Sequence, residues 1–203
     1  MALTALALVT TLKPSPAESS AQLLGSQLMD ELAALGVTGE TVRVVDFDVK
    51  PGVEADMGDG DEWPKIREKV LSADILVIAT PTWMGHMTSV AQRVLERLDA
   101  ELSEKDNKGR PTMFDKVAVA AIVGNEDGAH QITAELFQAL NDIGFSIPTQ
   151  GVTYWNGEAM GSVDYKDLPE TPEKVVSTTK SVALFAAHLA GALKASPYPA
   201  PIE

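Results

Sequence analysis

The chain has 203 residues, 45% of them hydrophobic and 22% charged, enough for one sizeable domain with a buried core. Lys and Arg number 16 against 29 Asp and Glu, and the resulting formal net charge of −13 repels nucleic-acid backbones and anionic lipid. With no cysteine, disulfides, thiolate metal sites, iron–sulfur clusters and cysteine nucleophiles are excluded.

Residues 3–9 are apolar but carry no basic flank, and Lys13 and Pro14 cut the run short, so a buried strand is expected there rather than a leader peptide. No run approaches the ~18 apolar residues of a membrane span, and a cytoplasmic protein is expected. Leu23, Leu24, Leu28, Leu32 and Leu35 recur at helical spacing, with Gly36 as the stop. Residues 41–47 alternate more and predict a second strand near a sheet edge. A short helix follows over 64–71, entered through Pro64. The unbroken apolar runs 74–80 and 116–123 predict strands covered on both faces. Between them Val90, Val94, Leu95 and Leu98 form a helical stripe, and Leu136, Leu140 and Ile143 form another that ends at Gly144. Residues 145–148 are a weaker fifth strand. An alanine-rich helix is expected over 173–193, and the proline-rich tail 196–203 is expected to be an exposed arm beyond a domain spanning 1–195.

Strands alternating with helices imply a parallel sheet with helices on both faces, wound by right-handed crossovers. Five strands predict an α/β, flavodoxin-like three-layer sandwich of order 2-1-3-4-5, with ligands outside the strand carboxyl ends. The connections 48–62, 101–115 and 151–171 are longer than usual, and long loops are often functional.

Three loops fall at the ligand-binding edge. The first, 10–20, has no glycine, so neither a Walker loop nor a dinucleotide fingerprint is possible. Its hydroxyls, Lys13 and the start of a helix suit a phosphate monoester. Helix capping is the competing explanation, because Ser15 with Glu18 and Ser19 with Gln22 both match a capping box. The second loop, 81–89, places Trp83 and Met84 where exposure is expected, so a flat heteroaromatic ring, or simple cover for the sheet end, accounts for them. The third, 124–130, brings two glycines and a polar run suited to a ribityl chain or a ring edge, or else a plain turn capped by Asp127.

At these loops the chain resembles the flavodoxin-like NADPH-dependent FMN reductases and related quinone reductases. Pro81-Thr82-Trp83-Met84-Gly85-His86-Met87 is similar to their isoalloxazine loop, and the similarity runs from the first strand to about Trp155. It implies that Thr11, Lys13, Ser19 and Ser20 hold the FMN phosphate. Pro81, Thr82, Trp83, Met84 and Gly85 would line the ring, and Asn125, Glu126, Asp127 and Gly128 would close the other side. The first loop departs from the family's basic-glycine-serine run, and the third is acidic where many members carry glycines.

The function implied is an FMN-dependent NAD(P)H oxidoreductase reducing flavin or quinone-type acceptors. NADPH or NADH visits transiently, and no side chain is required as acid or base. A homodimer or higher oligomer is expected, with Tyr154 and Trp155, placed in a loop after the fifth strand, as candidate contacts. Two rivals stay open: a flavodoxin-like electron carrier, and a binding or regulatory module of the same fold without flavin. The acidic run 56–62 lacks calcium-loop register and is expected to be a solvated loop. The three histidines show no metal spacing; His188 is expected to be structural, and His86 and His130 to serve at the surface or as caps.

Overall fold

In the computed structural model, residues 2–200 are described. Five strands, β1 (Thr4–Val9), β2 (Thr38–Arg43), β3 (Ile75–Pro81), β4 (Val117–Gly124) and β5 (Val152–Asn156), form one parallel sheet. Its order is β2-β1-β3-β4-β5, the predicted winding. The helices are α1 (Ser20–Ala34), α2 (Trp63–Ser72), α3 (Ser89–Leu98), α4 (Ala129–Asp142) and α5 (Glu173–Ala195).

Period-two alternation in the central strands divides the core. Leu6, Leu8, Leu76, Ile78, Ala120 and Ile122 face α2, α3 and α4, while Ala5, Ala7, Val9, Val77, Ala79 and Val119 face α1 and α5. Small residues let the layers close: a Cβ on Gly25 would sit 2.9 Å from Ala79 Cβ, so α1 lies directly against β3. Helix α1 stops where predicted, with Gly36 at φ 81° just past its end.

Both edge strands correct the sequence-based expectations. Strand β2 begins at Thr38 and ends at Arg43; Val44 and Val45, which suggested strand, form a 3₁₀ turn instead. The fifth strand is β5, and residues 145–148 make only an isolated bridge from Ser146 to Val117. Pro148 has no N–H for a ladder, and Gln150 at φ 50° turns the chain before β5 starts. Tyr154 and Trp155 therefore lie within a strand, not in a loop.

The acidic run is not wholly solvated either. Asp61 turns inward, accepts N–H bonds from Lys50, Met57 and Trp63 at 3.2, 2.9 and 3.1 Å, and pairs with Arg97 at 2.8 Å, both side chains being fully buried. Arg97 also donates to the carbonyls of Lys50 and Glu54 and lies over the Trp63 ring, so α3 clamps the 50–61 excursion. Where it is described, the tail is exposed but tied to the domain. The Tyr198 N–H donates to Asp115 at 2.7 Å, its carbonyl accepts from Arg110 at 3.0 Å, and its ring meets Phe114 edge-on. Residues 201–203 lie outside the described residues. His188 is exposed on α5 rather than packed into the core.

Candidate functional site

The loops after β1, β3 and β4 open onto one cavity of about 390 Å³ at the carboxyl edge of the sheet, where a strand-order reversal leaves room for a ligand.

The first loop is tied down from β2's end. Ser15 gives both its N–H and its hydroxyl to Asp46, at 2.7 and 2.6 Å, and these bonds hold the Asp46 carboxyl below its ordinary range. Arg43 donates to the carbonyls of Ala17 and Lys13 at 2.7 and 3.3 Å. The choice between capping boxes falls to Ser19, whose Oγ accepts the Gln22 N–H at 3.3 Å; Ser15 is no cap. Ser20 Oγ accepts the Lys166 N–H at 3.3 Å and Thr11 Oγ1 accepts the Lys13 N–H at 3.5 Å. An accepting hydroxyl still has its proton, so capping and donation to a ligand are compatible.

In the second loop, Trp83 and His86 exchange backbone bonds of 2.8 and 3.0 Å around Met84 (φ 53°) and Gly85 (φ 77°). Two positive φ values in succession mark a tight hairpin turn for which glycine is suited and methionine is not. Met84 is held there by its N–H, which donates to Glu126 Oε1 at 2.7 Å. The second and third loops also touch through backbone: a Cβ on Gly128 would stand 2.7 Å from Gly85 O. Asp127 does not cap α4; its carboxylate accepts the Gly128 N–H, and Gly128 takes the cap position.

Of the predicted site residues, Thr11, Lys13, Ser19, Ser20, Pro81, Thr82, Trp83, Asn125 and Glu126 line the cavity together. Met84, Gly85, Asp127 and Gly128 do not line it. They form the junction between two loops that close against each other, with Met84 87% exposed at the rim. His86 and His130 stand outside, on Glu135 and Tyr154 respectively.

A wall was missed. Trp155, Met160, Asp164, Tyr165 and Lys166 complete the lining, delivered by β5 and the excursion behind it. Trp155 leans on Tyr165 with centroids 5.5 Å apart, Tyr165 donates to Gln27 at 2.7 Å, and Asn125 donates to Asp164 at 3.1 Å. The length of the 151–171 connection was the available signal; nothing local indicates that Lys166 reaches a helix start 146 residues earlier.

One polar atom in the lining stands apart. The Thr82 hydroxyl is buried and has no partner among the described residues. Among those residues no group of three or more His, Asp or Glu side chains could hold a metal ion, and no helix is long and apolar enough to cross a membrane.

The sequence profile of the NADPH-dependent FMN reductases matches residues 6–159, from β1 through β5. The chain belongs to that family. It is accordingly an FMN-dependent oxidoreductase that draws electrons from NAD(P)H. The 8-demethyl-8-aminoriboflavin-5′-phosphate synthase of Streptomyces davaonensis is 36% identical over 217 residues, covering 100% of this chain and 83% of that protein. The crystal structure of RosB with bound 8-demethyl-8-formylriboflavin-5′-phosphate superposes with a TM-score of 0.88 at 33% identity, over 97% of this chain and 82% of that one. An apo NADH:FMN oxidoreductase shares the fold at 16% identity, with a TM-score of 0.65 over 96% of this chain and 92% of that one.

The cavity fits the cofactor on its own chemistry. Its volume is that of a small-molecule site, Trp83 after the central strand β3 and Trp155 on the edge strand β5 both line it, and the buried Thr82 hydroxyl lacks a partner among the described residues.

Proposed function

We propose that this enzyme holds FMN in the cavity with the phosphate at the start of α1 and the ring beside Pro81, Thr82, Trp83, Asn125 and Glu126, and that it passes electrons from NAD(P)H to a flavin or quinone-type acceptor. One observation carries the placement: Thr11, Ser19 and Ser20 each accept a backbone N–H, keep a proton to donate, and converge with Lys13 on the helix terminus. Backbone N–H groups of a first helical turn and the helix dipole favour an anion at that point.

FMN, when bound, supplies the hydride-accepting and electron-donating chemistry. The chain's own groups bind, orient and shield. The Met84–Glu126 bond and the Gly85–Gly128 contact fix the second and third loops as one unit, so the ring-side lining is preorganised. Trp83, at 56% exposure, and Met160, at 99%, give the mouth an apolar rim suited to a visiting nicotinamide or acceptor, or to a second subunit in a homodimer. A cytoplasmic location is part of the same reading.

Anaerobic addition of NADPH or NADH to the FMN-loaded protein tests this. Bleaching of the flavin absorption band with at least one nicotinamide is expected; a band unchanged by both overturns the electron-transfer reading. The similarity to a synthase acting on a riboflavin phosphate favours a second reading, in which the flavin phosphate is a substrate altered on its ring. Mass spectrometry of the flavin recovered after turnover separates the two: an unchanged mass marks a cofactor, a changed one a substrate.

A further inference from the structure

The cavity's charges are unbalanced for the ligand it is read to hold. Three carboxylates, Glu18, Glu126 and Asp164, line it against two cations, Lys13 and Lys166, on a chain of net charge −13. A phosphate carrying close to two negative charges needs local positive charge to enter such a field.

Lys166 is better built for this than Lys13. Lys13 sits on an exposed turn, whereas the Lys166 side chain is only 22% exposed and its position is fixed from three directions. Its own N–H is bonded to Ser20 Oγ, the preceding Tyr165 is anchored on Gln27 of α1, and Asp164 is anchored on Asn125 of the third loop. The ammonium therefore stands at the start of α1, 4.0 Å from Glu18 Oε2. Its present partner is the adjacent Asp167, met at 2.7 and 2.8 Å, and that hydrogen bond raises the Lys166 pKa so that the charge persists at neutral pH. Asp167 is half exposed, and an exposed pair of this kind contributes little stability, so exchanging it for a phosphate oxygen costs little. The Thr82 hydroxyl beside the same lining is buried and has no partner among the described residues.

We propose that Lys166 is a phosphate-binding residue that makes this site select 5′-phosphorylated flavins over riboflavin. The inference rests on the FMN reading above. It adds a residue from beyond β5, outside the matched segment 6–159, to the phosphate contacts.

Dissociation constants of the full chain for FMN and for riboflavin, from flavin fluorescence, test it. The wild type binds FMN more tightly than riboflavin. Lys166→Met weakens FMN about tenfold, the size of one charge-assisted hydrogen bond, and leaves riboflavin unchanged. Lys166→Arg restores FMN binding, so the charge remains testable even where the Met variant folds poorly, and Asp167→Asn leaves FMN affinity equal or tighter. Equal losses on both flavins, or undiminished FMN affinity in Lys166→Met, overturn the proposal while the FMN reading stands. A wild type that binds no FMN overturns both.

Discussion

Two buried polar side chains carry opposite consequences. The Thr82 hydroxyl is a desolvated donor without a partner, which costs the folded protein about 1–3 kcal/mol. Thr82→Val removes that cost, so chemical denaturation of the flavin-free protein should show a gain of about 1 kcal/mol, while FMN affinity falls about 3–10-fold. A loss in both would mean that the hydroxyl serves the fold. Asp61 is the reverse case. Burial alone would raise its pKa, but N–H bonds from Met57, Trp63 and Lys50 and the Arg97 pair overcome this and hold it at about 2, below the usual 3.8. A carboxyl whose folded pKa is depressed contributes stability that is complete above the unfolded value and is lost as pH falls through the folded one. The window is thus from about 4 down to about 2, worth roughly 2 kcal/mol. Acid titration of stability should show that slope, and Asp61→Asn should make it shallower while costing about 3 kcal/mol at neutral pH, because Arg97 loses its buried counter-charge.

Strands buried on both faces were legible in full, and the exposed edge strands only in part or not at all. β1, β3 and β4 are continuous apolar runs because helices cover both sides, and each lies within a residue or two of its predicted span. β2 reads Thr-Gly-Glu-Thr-Val-Arg, mostly exposed, so the expected edge strand was placed three residues late, and β5 reads Val-Thr-Tyr-Trp-Asn with one fully buried residue, so an apolar-run criterion passed over it. The site divides along the same line. Its near wall lies in three short strand-to-helix loops, where local chemistry points to ligand. Its far wall depends on which way a long excursion folds back, and that is set by single bonds such as Tyr165 to Gln27 rather than by pattern. The junction of the second and third loops gives this a test. A methyl on Gly128 would meet Gly85 backbone at 2.7 and 2.8 Å, and backbone cannot rotate away. Gly128→Ala should therefore cost about 1–3 kcal/mol in denaturant midpoint and weaken FMN, because the loops separate. Unaltered affinity would show that their contact does not organise the ring-side lining.

For the whole molecule, two electrostatic ranges compete at one cavity mouth. The net charge of −13 repels a phosphate from afar, whereas Lys13 and Lys166 attract it within a few ångströms. At ~0.01 M salt the screening length is ~30 Å, larger than the protein's own radius, so the approaching ligand feels the total charge. At ~0.15 M it shrinks to ~8 Å and only the nearest groups count. Raising salt between these limits removes the distant repulsion before it weakens the local attraction. Stopped-flow association of FMN should accelerate by about threefold or more over that range, with riboflavin, which carries no phosphate, as the insensitive control. Slower association of FMN at higher salt would mean that the two lysines dominate the field even at long range. In that case the acidic surface would have no part in gating entry.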